Sequence, residues 1–270
     1  MDLLLSTPLA SRLLWLDEVG STNTYLAAAV NAVDQQNEWP DFSVVATDNQ
    51  VAGKGRLGRD WSAPAGASLA VSVVLRPRTP AGRPLSTESL SWFGLLAGLA
   101  MARACNSVLP LGTNASIKWP NDVLIGEKKV CGVLSELVNT SEGVALVVGA
   151  GVNISLTEED LPVPTATSLQ LHGAQTTLDA VLASYLSEFS RSTRVFTSAA
   201  GNVQSSGLLD QVSELCGTLG RSVRVELPSG DSPVGTAIGI NEDGSLVVEM
   251  SNCAEPLVVS AGDVTHLRVI

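Results

Sequence analysis

The chain has only two histidines, His172 and His266, and four cysteines, Cys105, Cys131, Cys216 and Cys253, in 270 residues. Without paired spacing these cysteines outline neither a zinc site nor a disulfide framework. Histidines with no neighbouring ligand residue read as surface or loop positions rather than metal or catalytic groups. Cations are also scarce, sixteen Lys and Arg against twenty-seven Asp and Glu, a formal charge of −11. That balance argues against nucleic acid as the main partner, because such binding neutralises many phosphates with Lys and Arg. No run reaches the roughly 18 apolar residues of a membrane span, and Met1-Asp2-Leu3 lacks a basic leader. The expectation is a cytoplasmic protein with neither a membrane nor a nucleic-acid partner. Hydrophobic residues, by contrast, make up 45% of the chain, enough for one large core or a large and a small one.

The few cations are concentrated. Gly53-Lys54-Gly55-Arg56-Leu57-Gly58-Arg59, Lys118-Trp119-Pro120-Asn121-Asp122 and Lys128-Lys129-Val130-Cys131-Gly132 together hold six of the sixteen. A small anionic ligand needs no more than such a local cluster.

Periodicity gives a coarse map. Ser21 to Thr24 should cap a helix over 25–30, and Thr87-Glu88 a long central helix running to Ala100. Strands are expected over 42–46, 68–75, 117–119, 123–125, 130–138 and 144–148. Gly126-Glu127 and Ser141-Glu142-Gly143 supply the turns, which favours antiparallel pairing. Helices follow at 178–194 and 205–215. From Gly220 short strands alternate with Pro-Ser-Gly-Asp and Asn-Glu-Asp-Gly turns, the texture of a small β-barrel, with a boundary near Gly217.

Gly53, Gly55 and Gly58 satisfy G-x-G-x-x-G, but the context of a dinucleotide fold is missing. The loop runs into Trp61-Ser62-Ala63-Pro64 rather than a helix, and the acidic residue about 20 positions on is replaced by basic Arg76 and Arg78. A P-loop lacks its Gly-Lys-Ser/Thr ending. Two readings stay open: a loop wrapping a phosphate or carboxylate with N–H groups and cations, or an ordinary glycine turn. In Lys118 to Asp122, Trp119-Pro120 should fix an extended backbone. Asn121 and Asp122 then offer an amide and a carboxylate, suited to a ribose, an amine or Mg²⁺, or to an Asx-turn. Lys129 falls on a strand, and Gly132 leaves room for a ligand to approach the backbone.

Taken in order, these segments resemble the biotin protein ligase family. The resemblance rests on Ser21-Thr22-Asn23, Gln50 to Arg59 with Trp61, Lys118 to Asp122, Lys129 to Gly132 and Gly149 to Asn153. It continues through Gly220 to Arg224 and Val259 to Asp263. It implies an α+β fold, a mixed and largely antiparallel sheet flanked by helices as in class II aminoacyl-tRNA synthetases. A small C-terminal SH3-like barrel would follow, with domains 1–217 and 218–270. The larger family members carry an N-terminal DNA-binding module, so a ligase-only form is implied here.

The implied activity is ATP- and Mg²⁺-dependent conversion of biotin to biotinyl-5′-AMP. Transfer to a lysine of a biotin carboxyl carrier protein, as in acetyl-CoA carboxylase, would follow. The implied biotin contacts are Ser21, Thr22, Asn23 and Gln50 at the head group, with Gly53, Lys54, Gly55 and Arg56 in the loop. Lys129, Gly132, Gly149 and Gly151 complete that pocket. The nucleotide side would involve Lys54, Arg59, Trp61, Asn121, Asp122, Lys129 and Asn153, with Lys129 and Arg56 as catalytic groups. No protein cluster holds the metal; Mg²⁺ would come with ATP, with Asp122 as one possible ligand. Lys54 stands where the commonest family pattern has arginine, which keeps the charge without the bidentate grip. A lipoate or octanoate ligase of the same superfamily and a non-catalytic anion-binding module are the alternatives.

Overall fold

Residues 68–75 alternate imperfectly in sequence because the strand they form is covered on both faces. A computed structural model describes residues 1–32, 38–141, 143–227, 230–251, 255–260 and 263–266. The expectations for Glu142, Pro228-Ser229, Cys253 and the Ala261-Gly262 part of the tail lie outside these. The chain opens with β1 (Arg12–Trp15), α1 (Thr22–Asn31), β2 (Ser43–Thr47), the short pair β3 (Gly53–Lys54) and β4 (Asp60–Trp61), then β5 (Ser68–Leu75). After α2 (Trp92–Asn106) come β6 (Ala115–Lys118), β7 (Asp122–Ile125), β8 (Lys128–Thr140) and β9 (Gly143–Asn153). Two helices follow, α3 (Leu178–Ser198) and α4 (Leu208–Leu215). The last part holds β10 (Ser222–Glu226), β11 (Val234–Ile240), β12 (Leu246–Glu249), β13 (Leu257–Val259) and β14 (Asp263–His266).

The main sheet runs β1-β2-β5-β9-β8-β7-β6, with β1 and β2 parallel and every other pair antiparallel. Leu69, Val71, Val73 and Leu75 of β5 join the large core with Trp92, Phe93 and Leu96 of α2 and with Tyr185 and Phe189 of α3. Val74, Val45 and Val147 face the other way, toward Leu26 and Val30 of α1. Twelve of the fifteen α2 residues are buried, as its all-round apolar sequence required. The α3 helix instead buries one stripe, Val181, Leu182, Tyr185, Leu186 and Phe189, at helical spacing.

Two expectations are corrected. Thr87-Glu88 does not cap the long helix: residues 88–91 form a 3₁₀ turn, no side chain caps either segment, and α2 starts at Trp92. The Trp119–Pro120 peptide is cis, not a plain extended link; proline lowers the trans preference enough for packing to choose. The turn at Gly126 holds as read, with φ of +61°.

The C-terminal sheet, β13-β12-β11-β10-β14, is antiparallel throughout. It grips the first unit through tryptophans. The Trp92 indole donates to Glu242 O at 2.6 Å and the Trp119 indole to Gly244 O at 2.9 Å. The Thr218 hydroxyl accepts from Trp119 N–H at 3.0 Å and lies 3.0 Å from His266 Nε2. Burial, with Lys118 and Arg221 nearby, lowers the His266 pKa to about 4, so this ring is a neutral packing group.

Candidate active site

The α1 face of the sheet carries a patch with almost no side chains. Antiparallel register places Ala70, Gly151 and Gly132 side by side across β5, β9 and β8, and Ser72, Gly149 and Leu134 in the next row. Glycine is required here by what lies above it. A Cβ on Gly149 would run into the Asn23 amide, one on Gly151 would come 2.6 Å from the Trp61 ring, and one on Gly132 would come 3.0 Å from Lys129 Nζ. The patch is the floor of a narrow pocket.

One end of the pocket is polar and uncharged on its helix side. Ser21 is the N-cap of α1, its hydroxyl accepting from Thr24 N–H, so Thr22 and Asn23 fall in the first helical turn and are buried. Gln50 Oε1 accepts from Thr22 N–H at 2.9 Å and from the Thr22 hydroxyl at 3.2 Å. Asn23 Nδ2 donates to Glu136 Oε2 at 2.7 Å and to Leu134 O at 3.2 Å. The fully buried Ser72 hydroxyl donates toward Asn23 Oδ1 at 2.6 Å and Thr22 Oγ1 at 2.8 Å.

The other end is cationic. The glycine loop closes on itself through Gly55 N–H to Arg59 O at 2.6 Å, leaving Leu57 exposed at positive φ. Arg56 Nη1 donates to Asn121 Oδ1 at 3.1 Å, and Asn121 Nδ2 donates to Val133 O at 2.6 Å. Asn121 thereby ties the loop to β8. Lys129 sits where the β7–β8 ladder slips: Val123 pairs with Cys131 but Leu124 with Lys129, so β8 carries an extra residue, Val130. Such a bulge re-aims the adjacent side chain. The Lys129 backbone is clamped by Thr165 O and Thr167 N–H, at 2.7 and 2.8 Å. Its ammonium lies 2.7 Å from Asp122 Oδ1 and 5.6 Å from the Trp61 ring centroid. Cys131 beside it is fully buried, and burial raises its thiol pKa well above the ordinary value, so it is no nucleophile.

Most residues expected at the site do meet here. Ser21, Thr22, Asn23 and Gln50 line the polar end, and Lys54, Gly55, Arg56 and Lys129 the cationic end. Gly132, Gly149 and Gly151 lie along the floor, with Trp61 and Asn121 at the walls. Gly53 is one layer back, packed on Gln50 and the Trp61 carbonyl. Arg59 faces a wider cleft of about 780 Å³ that adjoins the pocket between the loop, Pro120 and the start of α2. Asp122 stands behind Lys129 rather than at the pocket wall. Asn153 is not brought to this pocket: it is buried at the end of β9 and donates to Thr167 O at 2.9 Å. Both amide protons of Asn23 are committed, to Glu136 and Leu134 O. Among the described residues no three His, Cys, Asp or Glu side chains are grouped to hold a metal. His172 bonds Thr167 and is held below its ordinary pKa by burial.

Sequence reasoning missed Ser72 and Glu136. The available signal was a lone hydroxyl inside the apolar run Leu69 to Leu75; Glu136 gave none.

Comparison with known proteins places the chain in a family. The model of the biotin/lipoate A/B protein ligase family matches residues 15–153, and that of the biotin protein ligase C-terminal domain residues 218–267. A Mycobacterium tuberculosis biotin–[acetyl-CoA-carboxylase] ligase is 34% identical over 257 residues, covering 93% of this chain and 87% of its own. The Escherichia coli bifunctional ligase/repressor BirA is 28% identical over 249 residues, 89% of this chain and 70% of its own. The Aquifex aeolicus biotin protein ligase, solved in complex with biotin and ATP, superposes with a TM-score of 0.74 at 26% identity, covering 96% of this chain and 100% of that one. With half the chain matched by the family model and nearly all of it aligned to the mycobacterial relative, the protein belongs to the biotin/lipoate A/B protein ligase family.

Proposed function

We propose that this chain is an ATP-dependent biotin protein ligase. One observation carries the reading: a single pocket has hydroxyls and amides at one end and Lys54, Arg56 and Lys129 at the other. Biotin matches that polarity, with a ureido ring to hydrogen-bond, an apolar middle, and a carboxylate to meet the cations. The carboxylate oxygen attacks the α-phosphate of ATP, forming an acyl–phosphate bond and releasing pyrophosphate. A carrier lysine amine then attacks the acyl carbon, forming an amide and releasing AMP. Attack of one anion on another is electrostatically opposed, and cations fixed in a partly desolvated pocket offset that repulsion. Lys129, clamped at its backbone, would bridge carboxylate and α-phosphate. Arg56, held by Asn121, covers them from the loop. Trp61 over Gly151 excludes water from the mixed anhydride.

Asp122 is already paired with Lys129, and the described residues do not build a cage for Mg²⁺. The metal would enter with ATP, held chiefly by phosphate oxygens, and supply charge neutralisation there. The names of the mycobacterial and other relatives support a biotin-dependent carboxylase's carrier domain as acceptor. No helix among the described residues is long and apolar enough to cross a membrane, and we place the protein in the cytoplasm. The test is pyrophosphate release with biotin, lipoate and octanoate in competition: release requiring both biotin and ATP supports the reading, and preference for lipoate or octanoate overturns it.

A further inference from the structure

The polar end of the pocket contains more acceptors than protons. Asn23 Nδ2 has two partners, the Glu136 carboxylate and Leu134 O, and both can only accept, which fixes the amide with Oδ1 turned toward Ser72. Thr22 gives its hydroxyl proton and its N–H to Gln50 Oε1. The Ser72 hydroxyl then faces two oxygens, Asn23 Oδ1 at 2.6 Å and Thr22 Oγ1 at 2.8 Å, with one proton to give. All three side chains are buried, so the oxygen without that proton is short of a donor that water cannot readily supply.

We propose that Glu136 and Ser72 are specificity-determining positioning residues: together they hold this end of the pocket as an acceptor site, selecting a ligand head group that brings its own N–H donor. The inference rests on the biotin reading above and deepens it, the ureido ring being such a head group. Glu136 need not touch the ligand. It acts by holding the Asn23 amide so that oxygen, not NH₂, faces Ser72. Without that carboxylate only Leu134 O, the longer of the two contacts at 3.2 Å, still holds the amide. The orientation is less strongly fixed, NH₂ turns toward Ser72 in a larger share of molecules, and the acceptor deficit that the ligand satisfies is reduced. A lipoyl or octanoyl chain, which has no N–H on its tail, leaves the deficit unfilled and is rejected for the same reason.

The experiment measures Kd for biotin and for ATP by calorimetry in the wild type, Glu136→Leu and Glu136→Gln, with the melting temperature of each. It adds the Kd of ureido-N-methylated biotin for the wild type. Glu136→Leu is expected to weaken biotin at least about tenfold. Glu136→Gln, whose Oε1 still accepts from Asn23, should stay within about threefold, with ATP affinity unchanged in both. The wild type should bind the N-methylated analogue at least about a hundredfold more weakly than biotin. Biotin affinity within twofold of wild type in Glu136→Leu, equal losses in both variants, or a wild type indifferent to N-methylation each overturns the inference and leaves the ligase reading standing. The analogue result decides even if Glu136→Leu fails to fold. A wild type that binds no biotin overturns both.

Discussion

The Lys129 ammonium stands 2.7 Å from the Asp122 carboxylate, a pair held across the β7–β8 hairpin where β8 carries one residue more than β7. Both side chains keep some contact with solvent, so the pair adds little to stability. Its consequence is positional: the ammonium is fixed between Asp122 and the Trp61 ring at the cationic end of the pocket.

Lys129→Ala should lower biotin-dependent adenylation by about 10³-fold, the scale of removing a fixed group that stabilises transition-state charge. Asp122→Asn should lower kcat by about tenfold, since it loosens the lysine without removing it. Steady-state pyrophosphate release checks both, and full activity in Lys129→Ala would remove that residue from the mechanism.

Gly149→Ala and Gly151→Ala place a methyl against Asn23 and Trp61 respectively. Overpacking of this kind costs about 1–3 kcal/mol. Gly149→Ala should weaken biotin about tenfold, because it displaces the amide that orders the polar end. Calorimetric titration with biotin checks this, with wild-type affinity as the contrary result.

Trp119→Phe removes the indole donor to Gly244 O and leaves that carbonyl unpaired, at a cost of about 1–2 kcal/mol. Asn121, which anchors Arg56, is two residues on, so the KM for ATP should rise as the melting temperature falls. A lowered melting temperature with unchanged kinetics would show the barrel contact to be structural alone.

His266 gives a pH dependence of defined sign. Its folded pKa, about 4, lies below the unfolded value of about 6.5 because burial disfavours the charged ring. The neutral-ring contribution is therefore fully present above pH 6.5 and is lost as pH falls toward 4. The ring is half-exposed, so its share is on the order of 1 kcal/mol after screening. His266→Gln should flatten the fall in melting temperature over that window; an unchanged slope would contradict the assignment.

Much of this was legible from residues alone, for identifiable reasons. Ser21 to Thr24 read as caps ahead of a helix from residue 25; Ser21 alone is the N-cap and the helix already starts at Thr22, because the one hydroxyl satisfies the Thr24 N–H. Lys54, Arg56 and Lys129 line one pocket, a convergence foreshadowed by the concentration of scarce cations into three short segments. Asn153 lies outside the pocket and donates to Thr167 O, and in sequence an amide at a strand end looks the same whether it faces a ligand or ties down a carbonyl. Ser72 and Glu136 stayed hidden because cross-strand register, which puts Ser72 opposite Gly149 and Gly149 opposite Leu134, is not written in any local pattern.

The most direct test of the central claim is a native mass spectrum of the full chain after incubation with biotin, ATP and Mg²⁺. The account predicts a retained adduct of the mass of biotinyl-5′-AMP that disappears, with biotin appearing on the acceptor, when a carrier domain is added. A spectrum showing the unliganded chain, or the chain with nucleotide alone, would contradict it.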